Sequence, residues 1–564
     1  MQLNGAQMVI EALKYEGVDT VFGYPGGAIM NVYDEIYKQD HFKHILTRHE
    51  QAAVHAAEGY AKVTGKVGVA MVTSGPGFTN AVTGLANAYM DSTPIVVISG
   101  QVPMSLIGTD AFQEIDAVGI SRSCTKHNYL VTDASDLAHV LKEAFYLASS
   151  GRPGPVHVDI PKDVTAQLAE FEYPTSVSMQ TYKPTTKGNA RQIKKAIEAI
   201  AASKRPLLYL GGGIVNANAS KSVREFAALT GIPAVETFMA RGVMGASNPL
   251  LISMLGMHGS YAANMAMSET DLIIGLGARF DDRVTGKLSE FAKNAGVIHV
   301  DIDPASISKL VDATYPIVGD VALVTKEFLE LAKEKIDSSK YEPWREMCEH
   351  FEQIHPLAYD DSSDTLKPQW VVERVGELLG KDANISTDVG QHQMWTAQYY
   401  PFDRPRQFIS SGGLGTMGYG FPAALGVKRG DIERVSINIT GDGSILMNIQ
   451  ELMTSVEQNL PVINIILNNH YLGMVRQWQT LFYDKRYAQT DLSVQPNFVK
   501  LVESFGGVGY DVSTKEEFDK ALKDAVDADV VALINVTVER LENVLPMVPA
   551  GGSLFNMMLD DKDR

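Results

Sequence analysis

The residue types and spacing best suited to chemistry are Gly441-Asp442-Gly443-Ser444 and, further on, Asn468-Asn469. Asp442 and Asn469 stand 27 residues apart and bring a carboxylate and an amide carbonyl, both hard oxygen donors. Joined by a backbone carbonyl, such a set suits Mg²⁺, which keeps positions free for phosphate oxygens. Gly441 and Gly443 let backbone N–H groups approach those phosphates, and a helix N-terminus beyond them adds partial positive charge. Taken alone, Gly-Asp-Gly is a tight turn and Asn-Asn a loop, so the surrounding elements decide between the readings.

Those elements read strand (434–440), turn, helix (445–458), strand (462–467). In a βαβ unit both strands end on one edge of the sheet, where open α/β folds bind ligands. That edge sets Asp442 and Asn469 opposite each other. Short apolar runs alternate with helical patterns elsewhere too, at 68–73, 95–99, 206–210, 272–276 and 297–302. Alternation of this kind predicts parallel sheets covered by helices. Polar, Pro-containing stretches at about 173–189 and 337–368 read as linkers. They leave three α/β pieces, 1–175, 190–336 and 366–550, each expected to be a doubly wound parallel-sheet domain. A shared fold for the first and third pieces is not decided by the sequence, and the tail from Asp560 to Arg564 is expected to fray.

The 564 residues carry 49 Lys+Arg against 67 Asp+Glu, a formal charge of −18. A net acidic surface opposes nucleic-acid binding driven by bulk charge. Cys124 and Cys348 form neither a disulfide framework nor a metal spacing. No uninterrupted apolar run approaches the roughly 18 residues that would span a membrane, and no basic-then-apolar leader opens the chain, so a cytoplasmic location is expected. Gly413-Leu414-Gly415-Thr416-Met417-Gly418 matches G-x-G-x-x-G, but no acidic residue closes a second strand about 20 residues on, so a dinucleotide site there is rejected. His49-Glu50 is not a zinc-protease motif, because position 53 is Ala.

The spacing of Asp442 and Asn469 resembles the GDG…NN signature of thiamine diphosphate enzymes. The resemblance implies Mg²⁺ held by Asp442, Asn469 and the main-chain oxygen of Tyr471. Thiamine also needs a carboxylate beside its aminopyrimidine. Glu50, between a strand at 44–47 and an Ala-rich helix at 51–62, is otherwise an acid favoured by a helix dipole. Its segment Thr47-Arg48-His49-Glu50-Gln51-Ala52-Ala53 resembles the activating-glutamate segment of the same enzymes. Met417, which could be core filler, matches the residue over which they bend the cofactor.

Further stretches, in order, resemble the catalytic subunit of the acetohydroxyacid synthase (acetolactate synthase) family. They are Tyr24-Pro25-Gly26-Gly27, Ser74-Gly75-Pro76-Gly77, Gly108-Thr109-Asp110-Ala111-Phe112-Gln113-Glu114, Gly151-Arg152-Pro153-Gly154-Pro155-Val156, Gly277-Ala278-Arg279-Phe280-Asp281-Asp282-Arg283, Gly390-Gln391-His392 and Gly473-Met474-Val475-Arg476-Gln477-Trp478. The implied reaction decarboxylates pyruvate and transfers the two-carbon unit to a second pyruvate or to 2-ketobutyrate, giving 2-acetolactate or 2-aceto-2-hydroxybutyrate. Glu50, Gly27, Phe112, Gln113, Lys162, Arg279 and Trp478 are carried over as active-site residues. Arg279 would grip the acceptor carboxylate. Trp478 would pack on the extra methyl of the larger acceptor. Gln391, His392, Gly441, Gly443, Ser444 and Met474 are implied thiamine diphosphate contacts.

The Arg279-Phe280-Asp281-Asp282-Arg283 run further resembles the FAD-containing members, in which the flavin is structural. Implied flavin contacts are Arg152, Gly211, Gly212, His258, Gly259, Arg279, Phe280, Asp301, Asp303, Gly319 and Asp320. The family implies a homodimer or tetramer with active sites shared between subunits, and a small regulatory subunit. A pyruvate oxidase, also a thiamine and FAD protein, is the nearest alternative. A non-catalytic scaffold is disfavoured because Glu50, Asp442 and Asn469 are all present.

Overall fold

Runs rich in Val, Ile and Leu, without polar alternation, are what a sheet covered on both faces requires. The strands Gly68–Val72, Leu272–Leu276 and Val462–Asn468 are buried along their whole length. In the computed structural model, which describes residues 1–560, such strands assemble into three six-stranded sheets whose named pairings are all parallel. The expected fraying beyond Asp560 falls on 561–564, outside the described residues. Gln2–Asn4 pairs antiparallel with Leu168–Glu170 in a separate two-stranded ribbon.

The first sheet is ordered Lys43–Leu46, Thr20–Gly23, Gly68–Val72, Ile95–Gln101, Pro155–Pro161, His127–Leu130. The third runs Phe408–Ile409, Ala383–Thr387, Val435–Gly441, Val462–Asn468, Ala532–Thr537, Val508–Val512. Counted in chain order within each sheet, both read second, first, third, fourth, sixth, fifth. The first and third pieces thus share a topology. Between the first and third of these strands the winding reverses direction, and a crevice opens at their C-terminal ends.

The middle sheet is ordered Leu251–Met254, Ala234–Glu236, Pro206–Leu210, Leu272–Leu276, Gly296–Asp301, Tyr315–Val318. That is the dinucleotide-binding order third, second, first, fourth, fifth, sixth, with its switch between Pro206–Leu210 and Leu272–Leu276.

The outer domains share a core. Phe22, Ala53 and Ala57 cluster with Phe421, Ala424 and Leu425. The Ala-rich composition around 51–62 is explained by this contact. A Cβ at Gly59 would stand 2.1 Å from the Ala423 carbonyl oxygen, and one at Gly426 would stand 1.8 Å from that of Ala56. Only small residues let the helices Glu50–Thr64 and Gly420–Gly430 approach so closely.

Two expectations need correction. The helix expected at 445–458 is broken: Ile445–Glu451 is 3₁₀, with Asn448 out of helical conformation at φ −132°, and an α-helix begins only at Leu452–Gln458. Asn448 is drawn aside because its Nδ2 donates to the Gly418 carbonyl at 2.6 Å. Nor is 337–368 purely a linker. It contains the helix Glu342–Ile354, whose Trp344, Cys348 and Phe351 stand three to four residues apart and bury into the middle domain. Trp344 Nε1 also donates to the Pro206 carbonyl at 2.9 Å. Trp344→Ala is expected to cost about 3–5 kcal/mol, measured by urea unfolding followed through the middle domain. A loss under about 1 kcal/mol would show that this helix is dispensable.

Candidate active site

The third sheet builds one half of the site. Val435–Gly441 ends in the turn carrying Asp442, and Val462–Asn468 ends at Asn469. Across the switch, the helix Gln391–Tyr399 starts beside them. Gln391 accepts a hydrogen bond from Asn469 Nδ2 at 3.1 Å, and its own amide donates to Gln477 at 2.8 Å and to the Glu542 carbonyl at 2.9 Å. A Cβ on Gly441 would stand 3.0 Å from His392 Nδ1, so this glycine is what lets the imidazole lie against the turn. Asn469 Oδ1 accepts the Tyr471 N–H at 3.0 Å, which folds residues 469–471 into a tight turn. Asp442, Asn469, Tyr471, Gln391 and His392 therefore converge, as the spacing predicts. Ser444 hydrogen-bonds within the same turn, to Thr440 at 3.1 Å.

Three observations bear on what could bind there. The buried Asp442 carboxyl is pushed up to about 7, because burial outweighs its hydrogen bonds. Its only side-chain donor among the described residues is the Gln495 amide, which also donates to Asn468 Oδ1 at 3.2 Å. His392 is held neutral by burial, with its pKa lowered to about 3, and its buried Nε2 has no hydrogen-bond partner among the described residues. A divalent cation would meet the unbalanced carboxylate, and a polar ligand group the unused imidazole nitrogen. The donor set fits Mg²⁺ with phosphate.

The first sheet builds a second pocket. Its switch lies between Thr20–Gly23 and Gly68–Val72. A Cβ on Gly26 would stand 2.4 Å from Thr73 Cγ2, whereas one on Gly27 would meet no atom within 4 Å. Gly27 is thus not a glycine for packing. Glu50 opens the helix Glu50–Thr64, and its Oε2 accepts a hydrogen bond from Asn80 at 2.9 Å. The start of the helix Pro76–Asp91 approaches it, since a Cβ on Gly77 would lie 3.5 Å from Glu50 Oε1. Burial, then the Glu50 charge, keeps the Tyr33 phenol protonated.

Gln113 takes a left-handed φ of 62°, and its backbone packs on Gly75. Gln101 Nε2 holds this loop by donating to the Ile115 carbonyl at 2.9 Å. Phe112 is 88% exposed, too much for a core residue of an isolated subunit. Lys162 is exposed at the start of Lys162–Ala166, and its carbonyl accepts from Asn31 at 3.3 Å.

Met417 is half-buried and belongs to none of the hydrophobic clusters among the described residues, which removes the core-filler reading. Met474 and Trp478 lie on one helix, Gly473–Phe482, with the Trp478 ring 5.5 Å from that of Phe482.

At the middle switch, the Gly211 N–H donates to Leu276 and that of Gly213 to Gly277, both at 3.0 Å. A Cβ on Gly211 would stand 2.1 Å from the Gly277 carbonyl, and one on Gly212 3.1 Å from Met239. Arg279 is ion-paired with Asp281. Arg152 of the first domain reaches Asp303 at 3.4 Å, next to Asp301, whose carboxyl burial pushes up to about 6. His258 is buried, its Nδ1 3.2 Å from the Pro546 carbonyl, and Gly259 packs against Leu255. This glycine-lined switch fits a dinucleotide.

Three of the residues carried over for that site also have packing or capping contacts. The Phe280 ring is committed to the core, between Tyr209, Phe291 and His299. Asp320 caps the helix Val321–Lys335, accepting from Ala322 at 2.8 Å, while Gly319 packs on Gly188. Sequence reasoning missed Asn80, Gln101 and Gln495. They carry no local motif and become visible only through contacts 14 to 53 residues distant.

The comparisons with known proteins follow this division. Residues 3–120 match the N-terminal TPP binding domain of thiamine pyrophosphate enzymes, 193–328 their central domain and 388–536 their C-terminal TPP binding domain. Fold and site thus define a thiamine pyrophosphate enzyme. The chain is 48% identical, over all of its length and 99% of the relative's, to the acetolactate synthase isozyme 3 large subunit of Escherichia coli (strain K12). It is 49% identical to the acetolactate synthase large subunit of Haemophilus influenzae, over 99% of this chain and 98% of the relative. With a probable acetolactate synthase large subunit of Methanococcus aeolicus it shares 44%, over 99% and 95%. The chain belongs to the acetolactate synthase large-subunit family. No helix among the described residues is long and apolar enough to cross a membrane.

Proposed function

We propose that this chain is the catalytic subunit of an acetolactate synthase that decarboxylates pyruvate and joins the remaining two carbons to a second 2-ketoacid. The observation carrying this reading is the meeting of Asp442, Asn469, Gln391 and His392 at the third sheet's switch. In a first sheet of the same strand order, Glu50 follows the second strand and lies beside Gly77, which follows the third. Bound thiamine diphosphate would supply an electron sink for the pair left on the retained pyruvate carbon as CO₂ departs.

The chain's own residues do the rest. Asp442, Asn469 and the Tyr471 carbonyl hold Mg²⁺, and His392, Gly441, Gly443 and Ser444 surround the diphosphate. Glu50 holds a proton at the aminopyrimidine nitrogen. Met417 would support the cofactor's bend, Met474 would contact it, and Gly27, Phe112, Gln113 and Lys162 would serve as active-site residues. FAD at the middle switch would have a structural role, held by Arg152, Gly211, Gly212, His258, Gly259, Arg279, Phe280, Asp301, Asp303, Gly319 and Asp320.

The domains span 1–175, 190–336 and 366–550. Exposed Phe112 and Met447 favour a homodimer in which the Glu50 half of one chain meets the Asp442 half of another. The full-length likeness to proteins named large subunits supports a small regulatory partner. An acidic biosynthetic enzyme of this kind belongs in the cytoplasm.

Product analysis tests this reading. Protein supplied with Mg²⁺, thiamine diphosphate and FAD should form acetolactate from pyruvate alone, and mainly 2-aceto-2-hydroxybutyrate when 2-ketobutyrate is added. Acetate or acetyl phosphate with flavin reduction would identify an oxidase instead.

Acceptor choice separates two residues. Arg279→Ala should raise the KM for the acceptor about tenfold or more while thiamine diphosphate affinity changes less, because the guanidinium, ion-paired with Asp281, is assigned to the acceptor carboxylate and not to thiamine diphosphate. Trp478→Ala should reduce the preference for 2-ketobutyrate about tenfold in competition assays, the value of one methylene contact. Unchanged product ratios would remove Trp478 from that role.

A further inference from the structure

We propose that Asn87 and Asp91, at the C-terminal end of the helix Pro76–Asp91, are positioning residues for the loop that carries Met417. The proposal rests on the thiamine diphosphate reading above and extends it to residues in a different domain from the loop they hold.

The loop is suspended by four hydrogen bonds to this helix and a fifth to Lys62 on the helix Glu50–Thr64. Asn87 Oδ1 accepts from Ser411 Oγ at 2.5 Å and from Thr416 Oγ1 at 3.0 Å. Asp91 accepts the N–H groups of Gly413 at 2.7 Å and Gly412 at 3.2 Å. Lys62, ion-paired with Asp91 at 2.8 Å, donates to the Ser410 carbonyl at 2.7 Å. Ser411 Oγ in turn accepts from the N–H groups of Gly415 and Thr416, at 3.0 and 2.9 Å. Residue 413 must be glycine, since a Cβ there would stand 2.8 Å from Met90 Cβ.

On the other side, Asp388 Oδ1 accepts from Gly418 at 2.7 Å and from Gly420 at 3.2 Å. Met417 thus sits between two anchors, one from each outer domain, and is itself outside every core cluster among the described residues.

Asn87 cannot turn freely to make or break these bonds. Its Nδ2 donates to Glu58 at 2.8 Å, and the other Glu58 oxygen meets His55 Nδ1 at 2.9 Å. His55, Glu58 and Asn87 are fully buried. A buried polar chain with each member paired locks one amide orientation, because any flip leaves an unsatisfied group. The same helix begins beside Glu50, where Asn80 donates to that carboxylate. Sixteen residues, about 24 Å of helix, therefore run between the Glu50 carboxylate of one site and the Met417 loop, which in the proposed homodimer belongs to the other site.

The test uses the holoenzyme with Thr416→Val, Asn87→Ala and the double variant. Thr416→Val keeps the branched shape and deletes only the hydroxyl donor. Thiamine diphosphate affinity, read by quenching of intrinsic fluorescence in the presence of Mg²⁺, should weaken about tenfold in Thr416→Val, the worth of one hydrogen bond, and at least as much in Asn87→Ala, which also loses Ser411. The double variant should be no weaker than the worse single, since both remove the same bond. kcat should fall while KM for pyruvate and flavin occupancy hold, a split that general destabilisation would not give. Folded variants that bind the cofactor and turn over like wild type would overturn the proposal. Should Asn87→Ala fail to fold, Thr416→Val decides alone. A wild-type protein that binds no thiamine diphosphate would overturn the functional reading itself, and is seen before any variant is made.

Discussion

Replacing Glu50 by Gln is expected to lower kcat about 10²- to 10⁴-fold, the range contributed by a positioned proton-transfer group. That corresponds to about 3–5 kcal/mol of barrier. Glu50 opens a helix whose Ala53, Ala56, Ala57 and Tyr60 pack in a core shared with the third domain, so its backbone position does not depend on its charge. Gln retains the side chain's length and an oxygen for Asn80. What it loses is the ability to hold and release a proton beside the aminopyrimidine, together with a helix-dipole contribution of about 0.3–1 kcal/mol. Thiamine diphosphate affinity should therefore stay within a few-fold of wild type while turnover collapses. Steady-state kinetics beside a fluorescence titration of cofactor binding makes the check. A Glu50→Gln protein within twofold of wild-type kcat would remove this carboxylate from the mechanism.

Asp442→Asn should abolish Mg²⁺-dependent cofactor binding, with affinity falling at least about 100-fold. Changing a residue that merely supports a metal ligand already costs about 10- to 100-fold, and this change removes a ligand. No rescue is at hand, because the described residues contain no group of three or more His, Cys, Asp or Glu able to hold a metal. The apo fold should tolerate the change. Burial already opposes the charged form of Asp442, and an Asn oxygen still accepts from Gln495. Thermal unfolding of apo protein should thus match wild type, while the stabilisation that wild type gains from Mg²⁺ and thiamine diphosphate is lost. Retention of that ligand-induced shift would show that the cation binds elsewhere.

The sequence by itself determined those parts of the site that are local in the chain. Gly441-Asp442-Gly443 and Asn469 are held to one sheet edge by a single βαβ unit, so their spacing suffices to place them. Glu50 likewise stands at a strand-to-helix junction that its neighbours define. The three sheets were legible for the same reason, since strands buried on both faces read as continuous apolar runs. Where a local signal competed with a distant partner, the partner won. The 445–458 periodicity suggested one helix, yet the Gly418 carbonyl, 30 residues away, breaks it at Asn448. The polarity of 337–368 suggested a linker, yet Trp344, Cys348 and Phe351 had a core to fill.

Only the tertiary structure decided that the first and third sheets share one strand order, because order depends on crossovers that leave no residue pattern. It alone gave the Asp442 carboxylate its Gln495 partner, committed the Phe280 ring to packing, and hung the Met417 loop from Asn87 and Asp91. The Asn87 and Asp91 contacts join residues more than 300 positions apart. A hydrogen bond closed over such a distance is set by how the domains pack. Neither partner's sequence neighbourhood announces it.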